Sequence, residues 1–171
     1  DNDLSAKFNE VVTATAKEVT GYTPIEASKQ VTIDEDKKVI EIVYKKNSYS
    51  YVVKYVDEDG NDLLPQKEGG KKLFEESVTE NAEDIKGYTP DKDSKSITIT
   101  DGTNEIVFVY KKKQYNVTFD TDGNGTLDGT TAFKVNYEEK VEDVPKTNPN
   151  EDYEFVKWTM TVNDVTTDVV D

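Results

Sequence analysis

Gly21-Tyr22-Thr23-Pro24 returns as Gly87-Tyr88-Thr89-Pro90, and Val43-Tyr44-Lys45-Lys46 returns as Val109-Tyr110-Lys111-Lys112. Both pairs stand 66 positions apart with no gap between them. Laying 21–47 over 87–113 adds Ser28/Ser94, Lys29/Lys95, Thr32/Thr98, Ile33/Ile99 and Ile40/Ile106 to the identities. A fixed period of this length marks a chain built from small serial units rather than around one enzyme pocket. The expected boundaries are a partial unit at 1–47, a complete unit at 48–113 and a divergent third at 114–171. Units this small bury proportionally little surface, so thin cores are expected.

The complete unit carries the clearest patterns. Tyr51, Val53 and Tyr55 alternate with Val52, Lys54 and Val56, the two-residue period of a strand. Asp57-Glu58-Asp59-Gly60-Asn61-Asp62 then reads as a turn. Leu63-Leu64-Pro65 opens a second strand, which the proline confines to an edge or an end. Ser77-Val78-Thr79-Glu80 fits a capping box, and Val78, Ala82 and Ile85 follow at helical spacing. That predicts a short helix over 78–85 or an irregular strand. The equivalent stretch of the first unit, from Val12 to Val19, leans towards strand. Ile97 and Ile99, a turn at 101–104, and Ile106, Phe108 and Tyr110 read as a hairpin. The first unit repeats it with Val31 and Ile33, a loop at 34–38, and Ile40, Ile42 and Tyr44. It has no counterpart of 51–64, so it is expected to be the least stable unit and the chain to be part of a longer protein.

The third unit opens as the second does, with Tyr115-Asn116-Val117-Thr118-Phe119 and an Asp/Gly-rich turn at 120–125. It continues with Phe133-Lys134-Val135-Asn136-Tyr137 and a Pro/Asn break at 145–150. A strand over Tyr153–Trp158 is then expected to carry Trp158, the only tryptophan, into a core or a domain contact.

Composition narrows the chemistry. With 36 acidic and 21 basic residues the net charge is −15. Such a surface repels phosphate backbones and anionic headgroups, which excludes nucleic acid and direct membrane insertion as expected partners. There is no cysteine and no histidine, so disulfides, thiolate sites and the commonest general base are absent. A glycosidase using two carboxylates is the one enzymatic chemistry left to name. Thin β units offer it no deep cleft, and no catalytic residue is assigned.

The second unit resembles the MucBP (mucin-binding-protein) repeat of Gram-positive surface proteins. The residues that carry this are Tyr55-Val56-Asp57-Glu58-Asp59-Gly60-Asn61, Gly87-Tyr88 and Val107-Phe108-Val109-Tyr110-Lys111-Lys112. The first unit looks like the later two-thirds of the same repeat. The third is similar to the Listeria–Bacteroides or internalin B-repeat, through Val117-Thr118-Phe119-Asp120, Val135-Asn136-Tyr137 and Tyr153–Trp158, with Glu154 departing from that pattern. These resemblances imply tandem ubiquitin-like β-grasp modules, a fold class of α+β with β dominant. They also imply an extracellular place on a bacterial cell wall, a monomer, and no enzymatic activity. The implied function is an adhesin segment that spaces a binding head or holds host mucin glycans weakly and many times over; a lectin-like module with one defined sugar site is the alternative.

Two sets of residues are site candidates. Asp120, Asp122, Asn124 and Asp128 follow the order of a calcium loop, but Thr131 stands where the bidentate glutamate belongs. The stretch reads either as a calcium site or as plain turn chemistry, and no other cofactor is expected. Tyrosines that recur at the period, Tyr22/Tyr88, Tyr44/Tyr110 and Tyr51/Tyr115, read as packing between or within units. Tyr49 and Tyr51, at a unit boundary, are the better candidates for stacking on sugar. The lysine runs at 45–46, 71–72 and 111–113 read as solvated charge at the boundaries, with neighbouring repeats as the alternative partner.

Overall fold

The computed structural model describes residues 6–34, 39–163 and 165–169. Among them every regular element is a strand. The fold is therefore all-β where α+β was expected. The chain divides into two compact units, one made of Asp1–Ile85 with Thr89–Lys111, the other of Lys86–Tyr88 with Lys112–Asp171.

In the first unit the strands are β1 (Val11–Thr15), β2 (Tyr22–Pro24), β3 (Ser28–Thr32), β4 (Tyr44–Lys46), β5 (Ser48–Asp57), β6 (Asp62–Leu73), β7 (Ser77–Asn81), β8 (Tyr88–Pro90), β9 (Ser94–Thr98) and β10 (Glu105–Lys112). The central sheet has the order β6-β5-β10-β8, with β5 antiparallel to β6 and parallel to β10. Pro65 lies on the edge strand β6, where its missing N–H leaves no ladder bond unmade on the outer side. Beside this sheet β7 pairs with β9, and one period earlier β1 pairs with β3 and β2 with β4.

Of two expectations about local structure, one resolves to its strand alternative and the other fails. The stretch from Ser77 is a strand, not a helical turn, and Val78 on it is buried. A helix of two turns has a costly nucleus and few bonds to offset it. Pairing with β9 satisfies the backbone along five residues, and Thr79 and Ser96 join their hydroxyls across the pair. The predicted hairpin also dissolves: β9 pairs with β7, whereas β10 crosses to lie parallel to β5. In the first copy β3 and β4 likewise choose different partners, and 35–38 of the expected loop lies outside the described residues.

The crossing between sheets is held by Asn104, the one buried polar residue among those described. Its Oδ1 accepts from the Thr100 N–H and hydroxyl, while its Nδ2 donates to the carbonyls of Ser50, Thr100 and Gly102. Its carbonyl also accepts from the Val52 N–H. A buried side chain this fully bonded fixes the turn to β5, which a two-strand hairpin turn would not do.

The alternation read from the sequence defines the core. Tyr51, Val53 and Tyr55 of β5 and Ile106, Phe108 and Tyr110 of β10 are each at most 5% exposed. The Tyr55 and Phe108 rings stack at 6.1 Å. The Tyr110 hydroxyl donates to the Glu83 carbonyl, and Tyr44 repeats that bond to Lys17 one period earlier. The Tyr55 hydroxyl has no hydrogen-bond partner among the described residues, and burial pushes its pKa up. An unmade buried hydrogen bond costs about 1–3 kcal/mol. Tyr55→Phe is therefore expected to leave stability unchanged or raise it by about 1 kcal/mol. A loss of that size in denaturant unfolding would mean that the hydroxyl has a partner.

The second unit has β11 (Gln114–Thr118), β12 (Gly125–Asp128), β13 (Ala132–Asn136), β14 (Lys146–Pro149), β15 (Thr159–Val162) and β16 (Val165–Asp168), paired β11-β13, β12-β14 and β15-β16. The Pro/Asn stretch expected to break the chain forms β14, antiparallel to β12. No strand forms over 153–158. Val135 and Pro145 are the buried side chains of this unit among the described residues.

Candidate functional site

Two constructions carry functional interest: a contact that recurs at the sequence period, and a groove in the second unit. The contact is built on the repeated Gly-Tyr. Gly21 has φ +77° and Gly87 φ +80°, the left-handed region that favours glycine. Each presents a bare Cα to an aromatic ring of the following module. A Cβ on Gly21 would lie 2.2 Å from the Phe74 ring, and one on Gly87 would lie 2.2 Å from the Tyr137 ring. The adjoining tyrosines complete the seat: Tyr22 meets Phe74 edge-on at 5.7 Å, and Tyr88 meets Tyr137 at 5.9 Å.

The backbone repeats with the rings. The Asn47 N–H donates to the Gly21 carbonyl and the Asn47 carbonyl accepts from Phe74. Lys113 makes the same two bonds to Gly87 and Tyr137. Around Phe74, the Glu75 carboxylate accepts from Lys46 at 3.0 Å and from the Tyr22 hydroxyl at 3.1 Å. Those bonds hold its pKa below the usual carboxylate range.

This contact explains Tyr49. Its ring is half-buried and packs against Phe74 at 6.2 Å. Tyr51, its companion in the sugar-stacking expectation, is 5% exposed. Its ring lies on Gly69 and its hydroxyl donates to Glu80, whose other oxygen accepts from Lys67. Tyr115 is 48% exposed on β11, so the buried environment of Tyr51 is not repeated there.

The groove has a volume of about 390 Å³. Its lining includes the aromatic side chains of Tyr153, Phe155 and Trp158 and the polar residues Asp120, Asp122 and Asn148. Trp158 is half-buried, wedged between Phe119 at 5.1 Å and Phe155 at 5.4 Å. Tyr153 and Phe155 stay about half exposed, at 56% and 47%. Exposed flat rings in one groove with hydrogen-bonding oxygens can take a ligand with apolar and hydroxylated parts.

The calcium candidates Asp120, Asp122 and Asn124 line this groove, and Asp128 lies on β12. The Asp122 carboxylate accepts from both the backbone and the side-chain N–H of Asn124, which lowers its pKa. Asp120 accepts from the Thr121 N–H. Asp57 closes its own turn in the same way, accepting from Asp59 and Asn61. Among the described residues no group of three or more His, Cys, Asp or Glu side chains is placed to hold a metal ion.

The family model of the MucBP domain matches residues 1–45 and 52–111, one match on each copy of the period. The chain belongs to the MucBP domain family. No curated protein matches it, and no solved structure does. Both glycines of the aromatic contact fall inside MucBP matches, as does Phe74. Tyr137 and the groove fall outside them. The Gly-Tyr motif was legible in the sequence as a repeat, but its role was not, because the ring it receives comes from the next module.

Proposed function

We propose that this chain is a non-catalytic repeat segment of a bacterial surface protein, facing the extracellular medium from a Gram-positive cell wall. Its MucBP repeats are joined in series by the aromatic-on-glycine contact and hold host mucin glycans weakly and multivalently. The observation that carries this is the pair of MucBP matches, each containing the same Gly-Tyr seat with a ring from the following module upon it. A joint repeated in its backbone bonds as well as its rings supports a spacing role. Weak single sites suffice when copies are linked, because linkage raises the effective concentration at each further site. The excess of acid disfavours anionic surfaces and is compatible with neutral hydroxyl-rich ligands.

The groove favours a second reading, in which the divergent module, similar to the internalin B-repeat, is a lectin-like site of its own. Trp158 makes the two readings separable, since it is the only tryptophan and stands in the groove wall. Holding by the MucBP repeats is expected to leave its emission unchanged as mucin oligosaccharides are titrated to about millimolar concentration, whereas a shift that Phe155→Ala abolishes would place binding in the groove. Retention on immobilised mucin is expected to rise about 100-fold or more when several copies are joined. Saturation by one sugar at micromolar concentration would favour the lectin. No retention by the joined copies would leave spacing alone.

A further inference from the structure

The seat and its ring occur twice, but the turn that presents the ring occurs three times. Phe74 precedes Glu75 at φ 64°, and Tyr137 precedes Glu138 at φ 65°. One period before Phe74, Phe8 precedes Asn9 at φ 65°. The surrounding bonds agree. The Glu10 N–H donates to the Lys7 carbonyl at 3.0 Å, as Glu76 does to Leu73 and Glu139 to Asn136, both at 2.9 Å. The Asn9 N–H donates to the Ile33 carbonyl and the Ile33 N–H to the Glu10 carbonyl, as Glu75 donates to Ile99 and Ile99 to Glu76. Phe8 thus stands on the same positive-φ turn, held by the same ladder. Phe74 and Tyr137 are half-buried on glycine, whereas Phe8 is 71% exposed.

The seat also has a third version, and it is altered. Tyr153 N–H donates to the Asn150 carbonyl at 3.1 Å, as Tyr22 N–H donates to Val19 at 3.0 Å. The residue before Tyr153 again has positive φ, but it is Asp152, at φ 69°. A Cβ at this point of the seat occupies the volume that an incoming ring takes on Gly21 or Gly87. Asp152-Tyr153 is therefore closed to a ring seated flat, and a second copy of this chain does not offer Phe8 a matching seat there.

We propose that the Phe8–Glu10 turn is a docking knob for another MucBP-type repeat, one whose Gly-Tyr seat is uncovered. The Phe8 ring lies on that glycine, edge-on to its tyrosine, as Phe74 lies on Gly21 and Tyr22. The partner is specified by chemistry: a left-handed glycine followed by tyrosine, with a backbone carbonyl at the end of the next strand to accept the Phe8 N–H. Charge or sugar specificity plays no part in this contact.

The test is an in-frame duplication that places a copy of residues 1–66 directly before Asp1. This sets the added Gly21-Tyr22 at the same separation from Phe8 that the native pair has from Phe74. Phe8→Ala is introduced into the existing chain and into the extended chain, and thermal unfolding is followed in both. In the existing chain the midpoint is expected to move by no more than about 1 °C, as for an exposed side chain. In the extended chain it is expected to fall by about 4–8 °C, and Phe8→Tyr, which copies the third module's ring, to restore it. Equal shifts in the two chains overturn the proposal, including the case in which the added copy does not fold against Phe8. The readout is folding and not mucin retention, so its failure is distinct from failure of the proposed function.

Discussion

Gly21→Ala is expected to lower the unfolding free energy of the first unit by about 2–5 kcal/mol. Two costs combine. A side chain in the left-handed region at φ +77° costs about 1–2 kcal/mol. Overpacking costs about 1–3 kcal/mol more, because the new methyl meets the Phe74 ring at its Cγ and Cδ1 and the ring must leave its seat to clear it. Gly60→Ala separates the two. Its φ is +86°, yet nothing lies within 4 Å of the added Cβ, so only the backbone cost of about 1–2 kcal/mol is expected. Combining Gly21→Ala with Phe74→Ala should give a coupling of about 1 kcal/mol or more in a double-mutant cycle, since the clash disappears with the ring. If Gly21→Ala and Gly60→Ala cost the same, the aromatic contact contributes nothing to stability.

The second large effect is an asymmetry between equivalent positions. Phe108→Ala is expected to cost about 3–5 kcal/mol, the usual cost of emptying a buried phenylalanine site, since Phe108 is 0% exposed and stacked on Tyr55. Ile42 holds the same place one period earlier, but it is half-buried and follows no counterpart of β5. Ile42→Ala is expected to cost about 1 kcal/mol, in proportion to the smaller area it removes from water. Amide exchange should show the same ranking, with β1 and β3 opening well before β5 and β10. Similar protection in both pairs would mean that the first copy has a core of its own.

Much of this architecture can be read from residue order. Several backbone bonds of the 66-residue echo are reproduced one period later. Ala16 to Ala27 becomes Ala82 to Asp93, and Ile25 to Val43 becomes Asp91 to Val109. The same echo resolves the conflict between helix and strand at 78–85. Val11–Thr15 and Ser77–Asn81 occupy equivalent positions and both pair as strands, so the β-branched character of the first copy was the better guide to the second. Helical spacing over eight residues carried little weight because Val78, Ala82 and Ile85 had no long helix to belong to. The groove was less legible. Trp158 stood out by rarity, but the segment around it has no strand pairing to make it periodic. Asp120 and Asp122, which line it, stand in a stretch whose acidic Gly-rich composition turn chemistry alone explains.

Order along the chain determined the module period, the alternating faces of β5 and β10, the acidic turns and the family. Each of these depends on neighbours in sequence, where side-chain spacing and backbone preference act directly. Tertiary structure alone decided which strands pair across the Asn104 turn, that Gly21 and Gly87 serve as seats, and that Phe8 differs from Phe74 in exposure. Those outcomes depend on groups about 50 residues away, and chain connectivity says nothing of which surfaces meet until burial and backbone bonding select the arrangement that leaves the fewest polar groups unsatisfied.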